Sequence, residues 1–323
     1  MCKEPQCLHA TEERLSVSLK GMRRINAFKI FLILVVTSIA YYTLLPSRTP
    51  QETEQLLTHL IVPLHVKQKH RMKAFFDSWR QYPPCTSQKN RLHFNPPLAH
   101  QVTVILQVSS ETEITALDRY DLLKYAPKQF KCIKEVKIKE MVLNQDSYLV
   151  GSRLMLEGML TNQMGLANPK YIFQMEPDCH PLKPGWLQAV DAAVRWPNAP
   201  FWMKGSHFRG HSTPNLAGHI IVRSHINGNA IFNLRDPQFV HFYFNTVKPF
   251  INKHYIMKGS AYDLDFYRMF FNSTASYFPQ FQHHLHKFQY SEVIQNHWHS
   301  RFNRSELLST SPNTFIVHGG NED

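Results

Sequence analysis

The sequence lacks the short motifs that mark several large enzyme classes. It contains no Gly-x-Ser-x-Gly nucleophile elbow, no Walker phosphate-binding loop and no Gly-x-Gly-x-x-Gly fingerprint. It also has no internal repeat and no low-complexity tract. Serine hydrolases, P-loop proteins and dinucleotide-dependent enzymes therefore find no support in it.

Nucleic-acid-binding motifs are missing as well, although the chain is basic. The formal net charge is +12, but the basic residues are spread along the chain and no zinc-finger spacing or RNP-like motif accompanies them. The late histidines form HHxH and HxH patterns without cysteine partners, which does not match structural zinc sites. We therefore expect no nucleic-acid partner. A basic chain equally suits phosphorylated ligands and anionic lipid head groups.

The chain has one apolar segment of membrane-spanning length, at residues 27–45. A helix of that length extends about 28 Å, close to the thickness of a bilayer core. Basic residues lie on or just before its N-terminal end, so the positive-inside rule places residues 1–26 in the cytosol as a tail. A cleaved signal peptide and a buried helix are the alternatives. The long lead-in and the missing small-x-small cleavage site favour an uncleaved anchor.

Few cysteines follow this segment, and they suit an oxidising compartment. Cys85, Cys132 and Cys179 permit one disulfide and one free thiol, and we favour the Cys85–Cys132 pair because Cys179 adjoins an acidic motif. Two N-x-S/T sequons, at Asn272 and Asn303, lie on the same side of the anchor. Residues 46–63, which begin polar and proline-containing, are predicted to be a stem.

Residues 64–323 are predicted to form one α/β domain, since 43% apolar residues supply a core. Helical periodicity indicates helices at 64–82, 148–162, 186–195 and 261–271, and apolar runs indicate strands at 101–108, 136–142, 171–175, 201–203 and 219–223. Several basic residues at the start of the first helix, Arg71 among them, favour a solvated or membrane-facing surface. Alternation of this kind predicts a mostly parallel sheet flanked by helices, with ligands at the carboxyl ends of the strands.

The most informative segment is an apolar strand that stops in two carboxylates, Glu176 and Asp178. Residues two apart in an extended chain point to the same side, and Pro177 favours an extended Glu176. Both carboxylates can therefore converge on one ion, and oxygen ligands suit Mg²⁺ or Mn²⁺. A solvated turn after a strand is the simpler alternative.

This segment, with the Cys-His-Pro-Leu-Lys-Pro-Gly-Trp-Leu that follows it, resembles the Asp-x-Asp region of GT-A-fold glycosyltransferases, although the first acid is Glu. The resemblance implies a Rossmann-like GT-A sheet and a metal site with His318 as third ligand to Mn²⁺ or Mg²⁺. It implies a UDP- or GDP-sugar donor and a glycan or glycoprotein acceptor. With the anchor, it implies a single-pass type II protein of the Golgi or ER membrane whose catalytic domain is lumenal.

The same resemblance suggests roles for further residues. Gly228 and Asn229 would border the sugar, and Gln107, at the start of the segment 107–110, would meet the nucleotide base. Asp263 or Asp265 would take a proton from the acceptor hydroxyl if the reaction inverts configuration. Helix capping explains these two acids equally well.

Two cations are candidates for binding a phosphate oxygen, Arg153 and Lys204. A helix-surface pair with Glu157 is the simpler explanation for Arg153, and a solvated strand end is the simpler one for Lys204. Two other functions stay open. One is a glycoside hydrolase that uses paired carboxylates without a metal, and the other is a non-catalytic lumenal lectin or cargo adaptor.

Overall fold

The computed structural model describes residues 56–86, 100–127, 130–143, 148–196, 199–210, 220–255, 261–271, 278–298 and 300–322. The predicted tail, the anchor, the first part of the stem and the sequon at Asn272 lie outside these residues. Within the described ranges, no helix is both long and apolar enough to cross a membrane.

Strands and helices alternate through most of the described chain. The strands are β1 Leu57–His65, β2 Val102–Ser110, β3 Ile133–Val142, β4 Tyr171–Gln174, β5 Cys179–Pro181, β6 Met203–Gly205, β7 Ala230–Asn233, β8 Phe288–Tyr290, β9 Ile294–Asn296, β10 Arg301–Phe302, β11 Ile316–His318 and β12 Asn321–Glu322. The helices are α1 Met72–Gln81, α2 Ala116–Leu123, α3 Tyr148–Leu160, α4 Trp186–Arg195, α5 Ile220–Ser224, α6 Pro237–Phe242, α7 Lys248–Tyr255, α8 Tyr262–Phe271, α9 Phe278–His284 and α10 Arg304–Thr310.

In the described part of the chain the main sheet has seven strands in the order β3-β2-β1-β4-β7-β6-β8. Neighbouring strands are parallel except around β7, which is antiparallel to both β4 and β6. The predicted α/β class with a mostly parallel sheet is therefore correct. A second sheet has the order β5-β11-β9.

Both faces of the main sheet are buried. Leu60, Val104 and Phe173 belong to one apolar cluster, which also contains Trp79 of α1 and Trp186 of α4. The residues next to these three in the chain, Ile61, Ile105 and Ile172, belong to a second cluster with Met159 of α3 and Phe266 of α8. Because side chains alternate across a strand, helices cover each face and leave the strand ends as the place for ligands.

Strand β1 corrects the predicted stem, since residues 57–63 are not a spacer but the start of a buried strand between β2 and β4. Pro63 is unusual in such a strand, because proline has no N–H to donate. The carbonyl of Ile61 accepts from Met175 N–H at 2.8 Å, so Pro63, two residues on, faces the same neighbour. That neighbour, β4, pairs with β1 only as far as Ile61. Pro63 therefore leaves no ladder partner without a donor.

Two other predicted elements change. The predicted strand at 219–223 is wrong, because Ile220–Ser224 is a short helix, and a brief apolar run cannot be assigned by periodicity alone. The predicted helix at 64–82 divides into a 3₁₀ segment, Val66–Arg71, and α1. Its apolar face, with Phe76 and Trp79, is buried as the spacing predicts.

The predicted disulfide between Cys85 and Cys132 is present, and Cys179 is a buried free thiol. The disulfide lies at the edge of the sheet where parallel strands begin, since Cys132 directly precedes β3 and its carbonyl accepts from Val102 N–H at 2.8 Å. It joins the segment after α1 to that edge.

Candidate metal centre

Two sheets meet at the end of β4 and bring the predicted metal ligands together. Glu176 and Asp178 follow β4 directly, and the chain then turns into β5. Strand β5 is antiparallel to β11, and Cys179 is paired with His318, the last residue of β11. Gly319 N–H also donates to the Asp178 carbonyl at 3.1 Å. Strand pairing therefore places His318 beside both carboxylates.

The three side chains have the spacing of ligands to one ion. His318 Nε2 lies 3.2 Å from Glu176 Oε2 and 3.6 Å from Asp178 Oδ1. One ligand atom from each residue lies within 4.8 Å of the others. Two ligands about 2.1 Å from an octahedral ion lie about 3 to 4 Å apart, so Mg²⁺ or Mn²⁺ fits this group, which we call the metal triad.

The hydrogen bonds of Asn296 orient the imidazole of His318 for such a role. Asn296 Oδ1 accepts from Trp298 N–H at 3.1 Å, which identifies the atom as the amide oxygen. The same oxygen lies 3.1 Å from His318 Nδ1, so Nδ1 carries the hydrogen when the ring is neutral. Nε2 then presents its lone pair to the carboxylates, as metal-binding histidines do.

The charges of the metal triad are strongly coupled. Burial alone would lower the pKa of His318, but the adjacent Glu176 and Asp178 raise that pKa above its usual value. Partial burial would raise the pKa of Glu176, but His318, Asn229 and the more distant Arg71 hold it below the usual value. The carboxylate of Glu176 is therefore ionised at neutral pH and stabilised by positive charge.

Asn229 holds Glu176 in place. Its Nδ2 donates to Glu176 Oε2 at 2.9 Å, and its Oδ1 accepts from Glu176 N–H at 2.7 Å and from Cys179 Sγ at 3.1 Å. The side chain is almost completely buried. The polar atoms of Asn229 are used in positioning a metal ligand, and its place beside the sugar stays a prediction.

Gly228 and Asp263 connect the same loop to helix α8. Gly228 N–H donates to Asp263 Oδ2 at 3.1 Å, and Leu264 N–H donates to Asp263 Oδ1 at 2.9 Å. A Cβ on Gly228 would lie 2.2 Å from the hydroxyl oxygen of Tyr262, so only glycine allows this close approach. Gly228 therefore lies beside the metal triad through Asn229, and Asp263 fixes its backbone.

Asp265, the other candidate base, is directed into the core. Its side chain has no exposed surface, and its Oδ1 lies 2.9 Å from Arg268 Nη1 in an ion pair. Residues two apart on a helix do not share a face, which separates Asp265 from Asp263. The predicted catalytic role of Asp265 is therefore corrected to a structural one.

Gln107 and Lys204 are also structural. Gln107 is sealed within β2, where its Nε2 donates to the Met155 carbonyl at 2.9 Å, so the predicted contact with a nucleotide base is wrong. Lys204 is 2% exposed and its Nζ donates to the carbonyls of Ala193 and Trp196 at 2.8 and 3.1 Å. These carbonyls end helix α4, and burial lowers the pKa of Lys204 to about 8. A cation in this place caps a helix and does not reach a phosphate.

Arg153 lies in a charged cluster around Glu157. Arg153 Nε is 3.9 Å from Glu157 Oε1, and Lys248 Nζ is 2.7 Å from Glu157 Oε2. Tyr243 also donates its hydroxyl to Glu157 Oε1 at 3.2 Å. The helix-surface pair of Arg153 with Glu157 is present, and the phosphate contact of Arg153 stays a prediction.

A basic cleft of about 800 Å³ opens beside Asp178. Its walls include four basic side chains and one tryptophan, namely His70, Arg71, His180, Arg301 and Trp298. The predictions from sequence placed Arg71 on a solvated or membrane-facing surface, and they did not single out Arg301 or Trp298. Arg71 comes shortly after the first buried strand, β1, and its role could have been predicted from that position if residues 57–63 were recognised as a strand.

No model of a protein family matches the sequence, and no curated protein matches it. Three solved structures similar to the chain are glycosyltransferases. The galactosyltransferase LgtC, in complex with donor and acceptor sugar analogs, is 10% identical with a TM-score of 0.47, and the match covers 82% of this chain and 87% of that one. Mouse xyloside xylosyltransferase 1 in its apo form is 13% identical with a TM-score of 0.47, covering 81% and 97%.

The third structure, glycosyltransferase GlyE from Streptococcus pneumoniae TIGR4, is 5% identical with a TM-score of 0.46, and the match covers 83% of this chain and 55% of that one. Identities of this size concern the fold alone, and the function proposed below rests on the metal triad and its cleft.

Proposed function

We propose that the protein is a metal-dependent glycosyltransferase that moves a sugar from a UDP- or GDP-sugar to a glycan or glycoprotein. The observation that carries this proposal is the metal triad, in which Asn296 fixes the ring of His318 and Asn229 fixes Glu176. One member of this triad, Asp178, also lines a cleft with basic walls. Divalent cations and basic side chains together suit the diphosphate of a nucleotide-sugar.

In this proposal the three ligands Glu176, Asp178 and His318 hold Mn²⁺ or Mg²⁺, which neutralises charge on the departing nucleotide diphosphate. Arg71 and Arg301 line the cleft and bind phosphate oxygens, which orients the donor toward the metal triad. Asp263, in the first turn of helix α8, is the proposed base for the acceptor hydroxyl.

The location follows as part of the same proposal: a single-pass type II protein of the Golgi or ER membrane with a tail at 1–26, an anchor at 27–45 and a lumenal domain. The Cys85–Cys132 disulfide supports it, because such bonds persist in the oxidising secretory pathway. Asn303, in the second sequon, caps helix α10 through a 3.0 Å hydrogen bond from Glu306 N–H to its Oδ1.

The test is calorimetric titration of the full chain, solubilised in detergent, with UDP- and GDP-sugars in the presence and absence of Mn²⁺. We expect one donor to bind only with metal. Glu176→Gln and Asp178→Asn should each abolish metal-dependent binding and sugar transfer, since each removes a charged ligand. Glu292→Gln changes a carboxylate that is half exposed and outside the metal triad, so it should leave both unchanged.

Three results would contradict the proposal. Retained transfer in both ligand variants would remove the metal assignment. Release of free sugar that resists a chelator would favour the glycoside hydrolase, in which paired carboxylates act without a metal. Glycan binding by a folded chain that binds no donor would favour the lectin or cargo adaptor.

A further inference from the structure

A tryptophan forms part of the wall of the basic cleft. Trp298 is 37% exposed and lines the cleft together with Asp178 of the metal triad. Trp79, Trp186 and Trp202, by contrast, are completely buried. Trp196 is 62% exposed as well, so exposure alone assigns no role, and what distinguishes Trp298 is its place in the wall of the cleft beside a metal ligand.

The backbone of Trp298 is fixed by the same side chain that orients the metal ligand. Asn296 Oδ1 accepts from Trp298 N–H at 3.1 Å and from His318 Nδ1 at 3.1 Å. His297 N–H also donates to the His318 carbonyl at 2.9 Å. One amide oxygen and one backbone hydrogen bond therefore fix the backbone of Trp298 relative to His318.

The turn after His318 passes unusually close to Trp298. Gly319 has a φ of +60°, and a Cβ at this position would lie 3.0 Å from Trp298 Cα. Residues other than glycine rarely adopt that φ, and none could do so here without moving the tryptophan backbone. The close approach fixes the Trp298 backbone against the turn that follows His318.

The charge of the cleft identifies the class of ligand that meets this indole. His70, Arg71, His180 and Arg301 face the cleft, against the single carboxylate of Asp178. The guanidinium groups of Arg71 and Arg301 suit phosphate, which offers them a negative charge that an uncharged acceptor sugar lacks. A ligand that carries phosphates and a flat aromatic ring satisfies both the cations and the indole, and a nucleoside diphosphate has both parts.

We infer that Trp298 is the platform on which the base of the donor nucleotide stacks, while the diphosphate lies against the basic residues and the metal triad. This inference rests on the proposed function, because it assigns the nucleotide end of the same cleft. Trp298 thereby replaces Gln107 as the residue that meets the base. Stacking on an indole tolerates any base, so Trp298 contributes affinity for the nucleotide without choosing uridine over guanosine.

The experiment compares nucleotides with a ligand that has no base. The full chain in detergent, with Mn²⁺, is titrated with UDP, GDP and inorganic pyrophosphate. We expect Trp298→Ala to bind the nucleotide about tenfold more weakly, which corresponds to ~1.4 kcal/mol, and to bind pyrophosphate as the wild type does. Trp298→Phe should retain most of the affinity. Trp196→Ala removes a tryptophan that is 62% exposed and outside this cleft, and should change neither ligand.

Denaturant unfolding reports whether each variant is folded, and Trp298→Leu replaces the alanine variant if that one does not fold. Wild-type affinity of Trp298→Ala for the nucleotide would overturn the inference. An equal loss for nucleotide and pyrophosphate would overturn it too, because the indole would then only shape the metal site. If the wild type binds neither ligand with Mn²⁺, the proposed function fails and the inference fails with it.

Discussion

Asn229 and Asn296 each hold one member of the metal triad by hydrogen bonds, so the ligands depend on amides that touch no metal. Asn229 both donates to the Glu176 carboxylate and accepts from its backbone N–H. We expect Asn229→Ala to weaken Mn²⁺ binding about 10- to 100-fold, the usual effect of losing a group that orients a ligand. Titration with Mn²⁺ measures this, and Asn313→Ala, at an exposed asparagine, is the matched control. Unchanged affinity in Asn229→Ala would show that Glu176 needs no such support.

Asp263 and Asp265 should separate function from stability. Asp265→Asn removes the charge that pairs with Arg268 in the core, so we expect the free energy of unfolding to fall by about 2 to 3 kcal/mol while donor binding survives. Asp263→Asn should instead lower the turnover of sugar transfer by about 100-fold with a smaller loss of stability. Denaturant unfolding and transfer assays on both variants check this. The reverse pattern would identify Asp265 as the base.

The site residues divide by how far each role depends on tertiary packing. Glu176, Asp178 and His318 could be predicted as metal ligands because carboxylates after a strand and a histidine at a strand end can bind a metal whatever the packing around them. The roles of Gln107 and Lys204 could not, since burial decides them. Lys204 in particular stands at a strand end in the sequence, and only the packing of β6 against α4 turns its Nζ toward helix carbonyls.

Among the secondary-structure elements, β1 and α5 differ most from the prediction. Strand β1 contains Pro63, His59 and His65, which are unusual in a central strand. Proline is accommodated because β4 pairs with β1 only as far as Ile61, and this pairing cannot be read from the sequence. Helix α5 contains adjacent β-branched residues, which favour strands. Longer elements such as α4 were predicted with their ends, because ten residues of helical spacing outweigh local preferences.

Strand β1 also makes the fold sensitive to acid through His59. Burial, and to a smaller extent the charge of Lys134, lowers the pKa of this histidine from 6.5 to about 4. The unfolded chain therefore takes up the proton first, and the stability present above pH 6.5 is lost as the pH falls toward 4, by up to about 3 kcal/mol. We expect His59→Asn to reduce this loss. Denaturant unfolding between pH 7 and pH 4 measures it.

The control for this pH dependence is His286→Asn, at an exposed histidine, which should lose stability with falling pH as the wild type does. Equal acid sensitivity of the His59 variant and the wild type would mean that other groups carry the effect. The comparison between variants matters because carboxylates that titrate in the same range contribute equally to all three proteins.

In the whole molecule, the metal triad and the disulfide lie at opposite ends of the strands of the main sheet. Glu176 and Asp178 follow the end of β4, whereas Cys132 precedes the start of β3, and these strands run in the same direction. A covalent bond therefore lies at the N-terminal ends of the parallel strands, while the side chains that bind ligands lie at their C-terminal ends. Stability and ligand binding should respond separately to changes at these two ends.

The disulfide provides the test of that separation. The bond between Cys85 and Cys132 spans 47 positions of the chain, and a loop of that length gives a stabilisation of about 4 kcal/mol by restricting the unfolded state. We expect the double variant Cys85→Ala, Cys132→Ala to lose about 2 to 4 kcal/mol in the free energy of unfolding, and dithiothreitol to have the same effect on the wild type. At temperatures where the variant is folded, Mn²⁺ and donor affinities should match the wild type, because no triad residue contacts this end of the strands. A parallel loss of Mn²⁺ affinity would show instead that the covalent bond at one end holds the ligand geometry at the other.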